Sequence, residues 1–135
     1  PEELVYPMRK QLTDQGFDEL KSIDDVENMI SNKGTTLVVV NSVCGCAAAN
    51  ARPGAIISLV NDKKPDHLTT VFAGVDREAT DKARSLMVPF PPSSPSIALF
   101  KDGELVHMIE RHHIEGRPAD AIAENLKSAY AEHCE

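Results

Sequence analysis

The chain has 135 residues and a net charge of −7, from 14 basic and 21 acidic residues. That length suits one domain with a core of its own and argues against a second core. The acidic balance argues against a general nucleic-acid binder and against binding to anionic membranes, since both need a basic face. No apolar run reaches the roughly 18 residues that a membrane-spanning helix requires.

The amino-terminal part of the chain predicts two helices. Apolar residues recur at roughly helical spacing over residues 3–21, with an interruption expected at Gly16. Ser22 is suited to cap a second helix because acidic residues, Asp24 first, follow it in the first turn. That helix should end before Gly34.

A buried strand is predicted next. Thr35–Asn41 is a continuous run of β-branched and apolar residues, which is typical of a parallel strand buried on both faces. The chain then passes through Ser42–Cys46 into an alanine-rich segment that predicts a helix to about Asn61. Pro53 and Gly54 lie inside this helix and should kink or break it.

The rest of the chain alternates strands and helices. The pattern predicts a strand at 68–73, a helix at 76–87 capped by Asp76, an irregular proline-rich segment at 89–95, strands at 96–100 and 105–109 joined by an Asp102–Gly103 turn, and a helix at 118–133. The fold class is therefore α/β, with a mixed central sheet of about four strands and helices on both faces.

The cysteine count points to a reducing compartment. The three cysteines, Cys44, Cys46 and Cys134, are a poor framework for structural disulfides, so we expect a cytoplasmic protein. The first five residues also lack the cationic and apolar regions of a secretory signal. Cys134 ends the last helix near an exposed terminus, where a cysteine without a role is favoured over a second resolving thiol.

Cys44 and Cys46 carry the clearest chemical signal. Cys44 stands where a buried strand ends and a helix begins, so free N–H groups and the helix dipole favour its thiolate. Cys46 follows after the flexible Gly45, and a disulfide closed over one residue should be strained and easily reduced. The pattern predicts Cys44 as the nucleophile and Cys46 as the resolving thiol, with the alternative that strain weakens resolution and leaves Cys44 to act largely alone.

Other interpretations of this pair remain open. Cys44 and Cys46 are also compatible with a module that holds a soft metal such as Cu(I) or zinc, or with a sensor whose disulfide changes its affinity for a partner. Two small buried residues without chemistry are a third alternative. Arg52 could stabilise a thiolate, but the pattern favours a solvated helix residue.

Histidines do not strengthen the metal interpretation. His112 and His113 follow a strand in a predicted loop, and adjacent side chains on an extended chain point to opposite sides. A closed zinc site needs four ligands, whereas only two cysteines are close in sequence. The sequence therefore predicts no dedicated metal site.

Several segments together resemble one protein family. Asn41–Ala49, with its Cys-Gly-Cys motif, resembles the active-site segment of the bacilliredoxins, which are thioredoxin-like proteins. The resemblance extends through Tyr6–Arg9, Gly16–Phe17, Val71–Gly74, Pro92–Ser96, His107, Arg111–His112, Ile114–Gly116 and Ala131–Cys134.

The resemblance implies a thioredoxin-like fold with extra amino-terminal helices. It implies a single domain over residues 1–135, with a helical extension at 1–33 and a core at 34–135. Gly45, Ser94 and Pro95 would bind substrate, with a cis peptide bond before Pro95 facing the active site, and Pro53 would match the kink proline of the active-site helix. The implied activity is removal of a low-molecular-weight thiol such as bacillithiol from protein mixed disulfides, or disulfide isomerisation. The implied partners are thiol-modified or disulfide-containing proteins, with that thiol as co-substrate and no other cofactor.

Overall fold

The structure, a computed structural model, describes residues 2–135 and builds them around a sheet of five strands. Pro1, the first residue of the predicted extension, lies outside the described residues. The strands are β1 (Asp18–Glu19), β2 (Thr35–Asn41), β3 (His67–Phe72), β4 (Ser96–Lys101) and β5 (Glu104–Ile109). The helices are α1 (Glu2–Thr13), α2 (Ile23–Ile30), α3 (Arg52–Ser58), which a π-helical turn at Ala47–Ala51 precedes, α4 (Arg77–Ser85), α5 (Arg111–Ile114) and α6 (Ala119–His133). Within residues 2–135, no helix is both long enough and apolar enough to span a bilayer.

The sheet is mixed, as the sequence predicted, but it has one strand more. Its order is β1-β3-β2-β4-β5, with β3 parallel to β1 and β2, and with β4 antiparallel to both β2 and β5. The additional strand, β1, lies in the segment 3–21 that was predicted to be helical. The helix ends at Thr13, and Gly16 (φ 94°) turns the chain towards β3. Two residues are too few to show the alternating pattern of a strand.

The continuous apolar run of β2 is explained by two cores, one on each face of the sheet. All seven residues of β2 are buried. Leu37 and Val39 pack with residues of α3 and α6 on one face, whereas Val38 and Val40 pack with residues of α2 and α4 on the other. Neighbouring side chains of a strand point to opposite faces, so a strand covered on both sides must be apolar throughout.

Local signals located most element ends correctly. Ser22 caps α2, and its hydroxyl accepts a hydrogen bond from the Asp25 backbone N–H at 3.1 Å. The β4–β5 turn has positive φ at Asp102 (50°) and Gly103 (84°), which an Asp-Gly hairpin turn requires. Asp76 occupies the N-cap position of α4, but its side chain makes no capping hydrogen bond there.

The helical segment after Cys46 contains Pro53 and begins with a π-helical turn, which is wider than an α-helical turn. Proline has no N–H, and its ring clashes with the carbonyl four residues earlier in an α-helix. The chain forms a π-helical turn over Ala47–Ala51 and continues as α3, with Pro53 in its first turn. The predicted kink or break is therefore a change of helix type. The helix ends at Ser58, three residues before the predicted end at Asn61.

Candidate active site

Four chain segments meet at one edge of the sheet. The strands β2 and β3 are parallel, so Cys44 and Gly74 follow their carboxyl ends on the same side. Because Val40 of β2 pairs with Ser96 at the start of β4, the segment before Ser96 reaches that side too. Strand β5 runs antiparallel to β4, which delivers Arg111 to the same edge. Such edges are the usual ligand sites of open α/β sheets.

These segments form a groove of about 400 Å³. It is lined by Ser42, Val43 and Cys44 after β2, Ala73 and Gly74 after β3, Ser94 before β4, Arg84 of α4 and Arg111 of α5. The structure thus brings two sequence-predicted residues, Cys44 and Ser94, into one groove. Gly45 is exposed beside Cys44, and Pro95 is buried behind Ser94. The Ser94–Pro95 peptide bond is cis, as expected, and so is the Val88–Pro89 bond, which was not expected.

The two thiols of the motif are in contact. Their sulfur atoms lie 2.7 Å apart, and both side chains are partly exposed. The Cys44 backbone N–H donates to the Ser42 hydroxyl at 3.2 Å, and the Cys44 carbonyl accepts from the Ala47 N–H at 3.0 Å. The loop is thereby held so that Cys44 precedes the first helical turn.

The surroundings push the pKa values of the two thiols in opposite directions. Hydrogen bonds from the Cys46 thiol and then from the Cys46 backbone N–H lower the pKa of Cys44, and the positive charge of Arg111 adds to this. Burial, followed by the hydrogen bond and the negative charge of Cys44, raises the pKa of Cys46. A single negative charge on the pair therefore resides on the Cys44 sulfur, while Cys46 keeps its proton.

Arg52 supports the loop from behind, and the expectation that it is solvated was wrong. Its side chain is buried, with 3% of the residue exposed. The guanidinium donates to the Asn41 side-chain oxygen at 2.8 Å, to the Ser42 carbonyl at 3.0 Å and to Gln11 at 2.7 Å. Asn41 also accepts from the Ser42 N–H at 2.9 Å. Arg52 therefore joins α1, the end of β2 and the Ser42–Cys44 loop.

Two arginines of the groove, Arg84 and Arg111, were not singled out as site residues from the sequence. Arg111 Nη1 donates to the Ser94 carbonyl at 3.1 Å, and Arg84 Nη2 donates to the Ser93 carbonyl at 3.3 Å. Arg111 directly follows the last residues of the hairpin, so the predicted topology could have placed it at this edge. Arg84 carries no such signal, because it stands in an amphipathic helix where an arginine is usually solvated.

Cys134 is far from the motif and is not exposed as expected. It is 3% exposed and packs in the core on the α3 and α6 face. Burial raises its pKa, and Thr35, the first residue of β2, is close enough to lower it slightly in turn. Cys44 follows the opposite end of that strand, about 20 Å away at the usual rise per residue. Cys134 therefore does not contact the candidate site.

The histidines are arranged differently from the prediction. His112 and His113 belong to α5 rather than to an extended loop, and their ring centroids lie 4.0 Å apart. With Glu110 they form a surface group whose possible ligand atoms lie within 4.8 Å of one another. The expected separation of the two side chains was wrong, because a helical turn brings the rings together.

Comparisons with known proteins agree with this geometry. The sequence profile of the disulphide isomerase family matches residues 1–134. The chain is 58% identical over 132 residues to a bacilliredoxin of Cytophaga hutchinsonii, covering 98% of both chains. It is 58% identical over 134 residues to a bacilliredoxin of Halalkalibacterium halodurans, covering 98% of this chain and 93% of that protein. The solution structure of oxidised thioredoxin from Plasmodium falciparum superposes with a TM-score of 0.60 at 16% identity, covering 85% of this chain and 99% of that one. The fold is therefore the predicted thioredoxin-like fold.

Proposed function

The chain belongs to the disulphide isomerase family together with the bacilliredoxins and is a thiol–disulfide oxidoreductase; on that premise we propose that it removes a low-molecular-weight thiol of the bacillithiol type from protein mixed disulfides. Cys44 is the nucleophile and Cys46 the resolving thiol. The single observation that carries the proposal is the 2.7 Å contact between the sulfur atoms of two partly exposed thiols. The lowered pKa of Cys44 and the raised pKa of Cys46 agree with the two roles.

In the first step the Cys44 thiolate attacks the mixed disulfide at the sulfur of the small thiol. A bond forms between Cys44 and that sulfur, and the old disulfide bond breaks. The substrate cysteine leaves as a thiolate and takes a proton from water. A lowered pKa gives Cys44 a larger thiolate fraction near neutral pH, which supports its role as the attacking group.

In the second step the small thiol is released. Cys46 loses its proton and attacks the Cys44 sulfur, so that a Cys44–Cys46 disulfide forms and the small thiol departs with the proton. Two further thiol groups then reduce the Cys44–Cys46 disulfide back to two thiols and are themselves joined as a disulfide. A second molecule of the small thiol can take the place of Cys46. It attacks the sulfur of the small thiol bound to Cys44, the two small thiols leave joined by a disulfide bond, and Cys44 is released as a thiolate. The 2.7 Å contact between the two sulfur atoms supports release by Cys46.

Gly45, Ser94 and Pro95 form the proposed substrate-binding part of the site. Open space lies beside the Gly45 Cα: apart from Gly45 and its two chain neighbours, no atom lies within 4 Å of the place that a methyl group there would occupy. A substrate can therefore approach the motif there. Ser94 lies in the groove, and the cis bond before Pro95 shapes the segment beside it. The substrates are proteins that carry disulfides or small-thiol adducts, and the reaction needs a reducing compartment such as the cytoplasm.

The test is a mixed-disulfide assay followed by intact mass spectrometry. A carrier protein carrying bacillithiol on one cysteine is incubated with the reduced wild type, Cys44→Ala or Cys46→Ala. We expect the wild type to remove the thiol and Cys44→Ala to remove none. Cys46→Ala should accumulate the adduct on Cys44, because the resolving step is missing.

Cys134→Ala is the matched control, since that thiol lies buried at the other end of β2. It should remove the thiol at the wild-type rate. Activity of Cys44→Ala equal to that of the wild type would refute the nucleophile assignment. Activity on glutathione adducts alone would refute the bacillithiol specificity and leave the chemistry intact.

The family description favours disulfide isomerisation as a second activity of the same thiols. Here Cys44 attacks a wrongly paired protein disulfide, and another cysteine of that substrate expels it, so no net oxidation occurs. Cys46→Ala should then still reactivate a protein with scrambled disulfides, whereas Cys44→Ala should not. Tight stoichiometric Cu(I) binding without turnover in either assay would favour the metal-binding alternative.

A further inference from the structure

Two guanidinium groups stand in the groove that holds Cys44, although the chain as a whole is acidic. Among the residues lining this groove there is no carboxylate. Arg84 approaches from the last turn of α4 and Arg111 from the first turn of α5. Each is held by a carbonyl of the Ser93–Ser94 segment, at 3.3 Å for Arg84 and 3.1 Å for Arg111. The two cations are therefore oriented by the same piece of backbone.

Neither guanidinium has its donors fully used. Arg84 Nε is buried without a hydrogen-bond partner in the described part of the chain, and the ion pairs found there do not include Arg84. Arg111 pairs with Glu115 one turn along α5, but both side chains of that pair are about half exposed. An exposed pair of this kind contributes little and is easily exchanged for another anion. A guanidinium carries five N–H donors, so both groups can donate hydrogen bonds to a further carboxylate.

We propose that Arg84 and Arg111 bind a carboxylate of the small thiol while Cys44 attacks its sulfur, which makes them specificity-determining residues of the groove. The inference rests on the proposed function and names the chemical class of the thiol: one with a carboxylate that lies in the groove with Arg84 and Arg111 while its sulfur meets Cys44. A volume of about 400 Å³ fits a small molecule. Arginine is the side chain best suited to carboxylates, because its planar fork can donate two parallel hydrogen bonds.

The first experiment tests the carboxylate site without any turnover. Iodoacetate and iodoacetamide both alkylate a thiolate with loss of iodide. Iodoacetate carries a carboxylate where iodoacetamide carries a neutral amide. The rate of Cys44 alkylation is measured with each reagent in the Cys46→Ala background, and the ratio of the two rates is compared between variants. Any change in the Cys44 pKa cancels from the ratio, because both reagents react with the same thiolate.

We expect Arg84→Gln and Arg111→Gln each to lower the iodoacetate-to-iodoacetamide ratio about tenfold, which corresponds to the lower end of the range for one hydrogen bond to a charged group. High salt should lower the ratio in Cys46→Ala with both arginines present. It should leave the ratio almost unchanged when Arg84→Gln and Arg111→Gln are combined in that background. Arg77→Gln is the control, because it removes the same charge from an exposed position at the start of α4. Ratios for Arg84→Gln and Arg111→Gln that match those of Arg77→Gln would overturn the proposal.

A second experiment asks whether the bound carboxylate is that of the small thiol. Mixed disulfides of one carrier protein with mercaptosuccinate or with neutral mercaptoethanol are offered to the chain with Cys46 intact. The preference for mercaptosuccinate should fall in Arg84→Gln and Arg111→Gln but not in Arg77→Gln. An unchanged preference, with turnover present, would overturn the proposal. Absence of turnover on every mixed disulfide would refute the proposed function instead, and the alkylation ratio would then decide alone whether the carboxylate site exists.

Discussion

Cys44 differs from the other two thiols in what surrounds its sulfur. The Cys46 thiol and N–H groups and the charge of Arg111 lower the pKa of Cys44, whereas burial raises the pKa of both Cys46 and Cys134. Only the thiolate reacts with alkylating agents. The reduced protein should therefore show one thiol that reacts below the ordinary thiol pKa, and two that do not.

The pH dependence of alkylation checks this directly. A lowered pKa means that the thiolate fraction at any pH below 9 is larger than that of an ordinary cysteine, so the alkylation rate of Cys44 should reach half its maximum below pH 9. Arg111→Gln removes a nearby positive charge and should move that midpoint upwards. Peptide mass mapping after brief labelling identifies the thiol, and faster labelling of Cys46 than of Cys44 would reverse the two roles.

Among the elements, α1 is tied to the rest of the molecule through a buried cation. Arg9 is 5% exposed and donates to both oxygens of Asp76, at 2.7 and 3.0 Å, and it lies 5.2 Å from the centre of the Phe72 ring. The hydrogen bond to Asp76 raises the pKa of Arg9. Asp76 thus pairs with α1 instead of capping α4. We propose on this basis that the predicted extension 1–33 and core 34–135 unfold as one unit.

Asp76→Asn tests this link between elements. The substitution keeps the shape of the side chain but leaves the buried Arg9 with only Glu19 and Glu2 as acidic partners, at 3.4 and 3.2 Å. We expect the free energy of unfolding to fall by about 2–4 kcal/mol, because an incompletely paired buried charge is costly. Urea unfolding followed by circular dichroism measures it.

Asp14→Asn is the matched control for that substitution. Asp14, the first residue after α1, pairs with Lys10 of that helix, and both side chains are about half exposed. Exposed pairs contribute about 0–1 kcal/mol, so this variant should unfold close to the wild type. Equal losses in the two variants would contradict the anchoring role of Arg9.

At the scale of the whole molecule, the position of the active-site helix depends on its close packing against α6. Gly54 lies where a Cβ atom would approach Ile122 Cγ2 to 2.7 Å and the Ala119 carbonyl oxygen to 3.2 Å. Only glycine allows the two helices to come so near. We expect Gly54→Ala to push α3 away from α6 and to lower the free energy of unfolding by about 1–3 kcal/mol, the usual cost of overpacking.

The Tm values of Gly54→Ala and of the control variant Gly45→Ala, measured by thermal unfolding, test this prediction. Gly45 has open space around its Cα and no positive φ, so an alanine there meets no neighbouring atom. Its Tm should stay near that of the wild type. A Gly54→Ala protein as stable as Gly45→Ala would show that the two helices can separate without cost.

Features that depend on neighbouring residues along the chain could be predicted without the structure. The bounds of β2, the Ser22 cap, the Asp102–Gly103 turn and the thiol pair of Cys44 and Cys46 could all be predicted. Each rests on a burial pattern, a capping hydrogen bond, a backbone conformation or a spacing that a few consecutive residues specify. The family resemblance also predicted the cis bond before Pro95.

Contacts between distant residues could not be predicted and became visible only in the folded chain. The partner of Asp76 is 67 residues away, and Arg52 reaches Gln11 across 41 residues. The burial of Arg52 and Cys134, the two-residue strand β1 and the arginines of the groove also depend on such long-range contacts. A charged side chain looks the same in a sequence whether water or a buried acceptor satisfies it, because the difference lies in the solvation that folding removes.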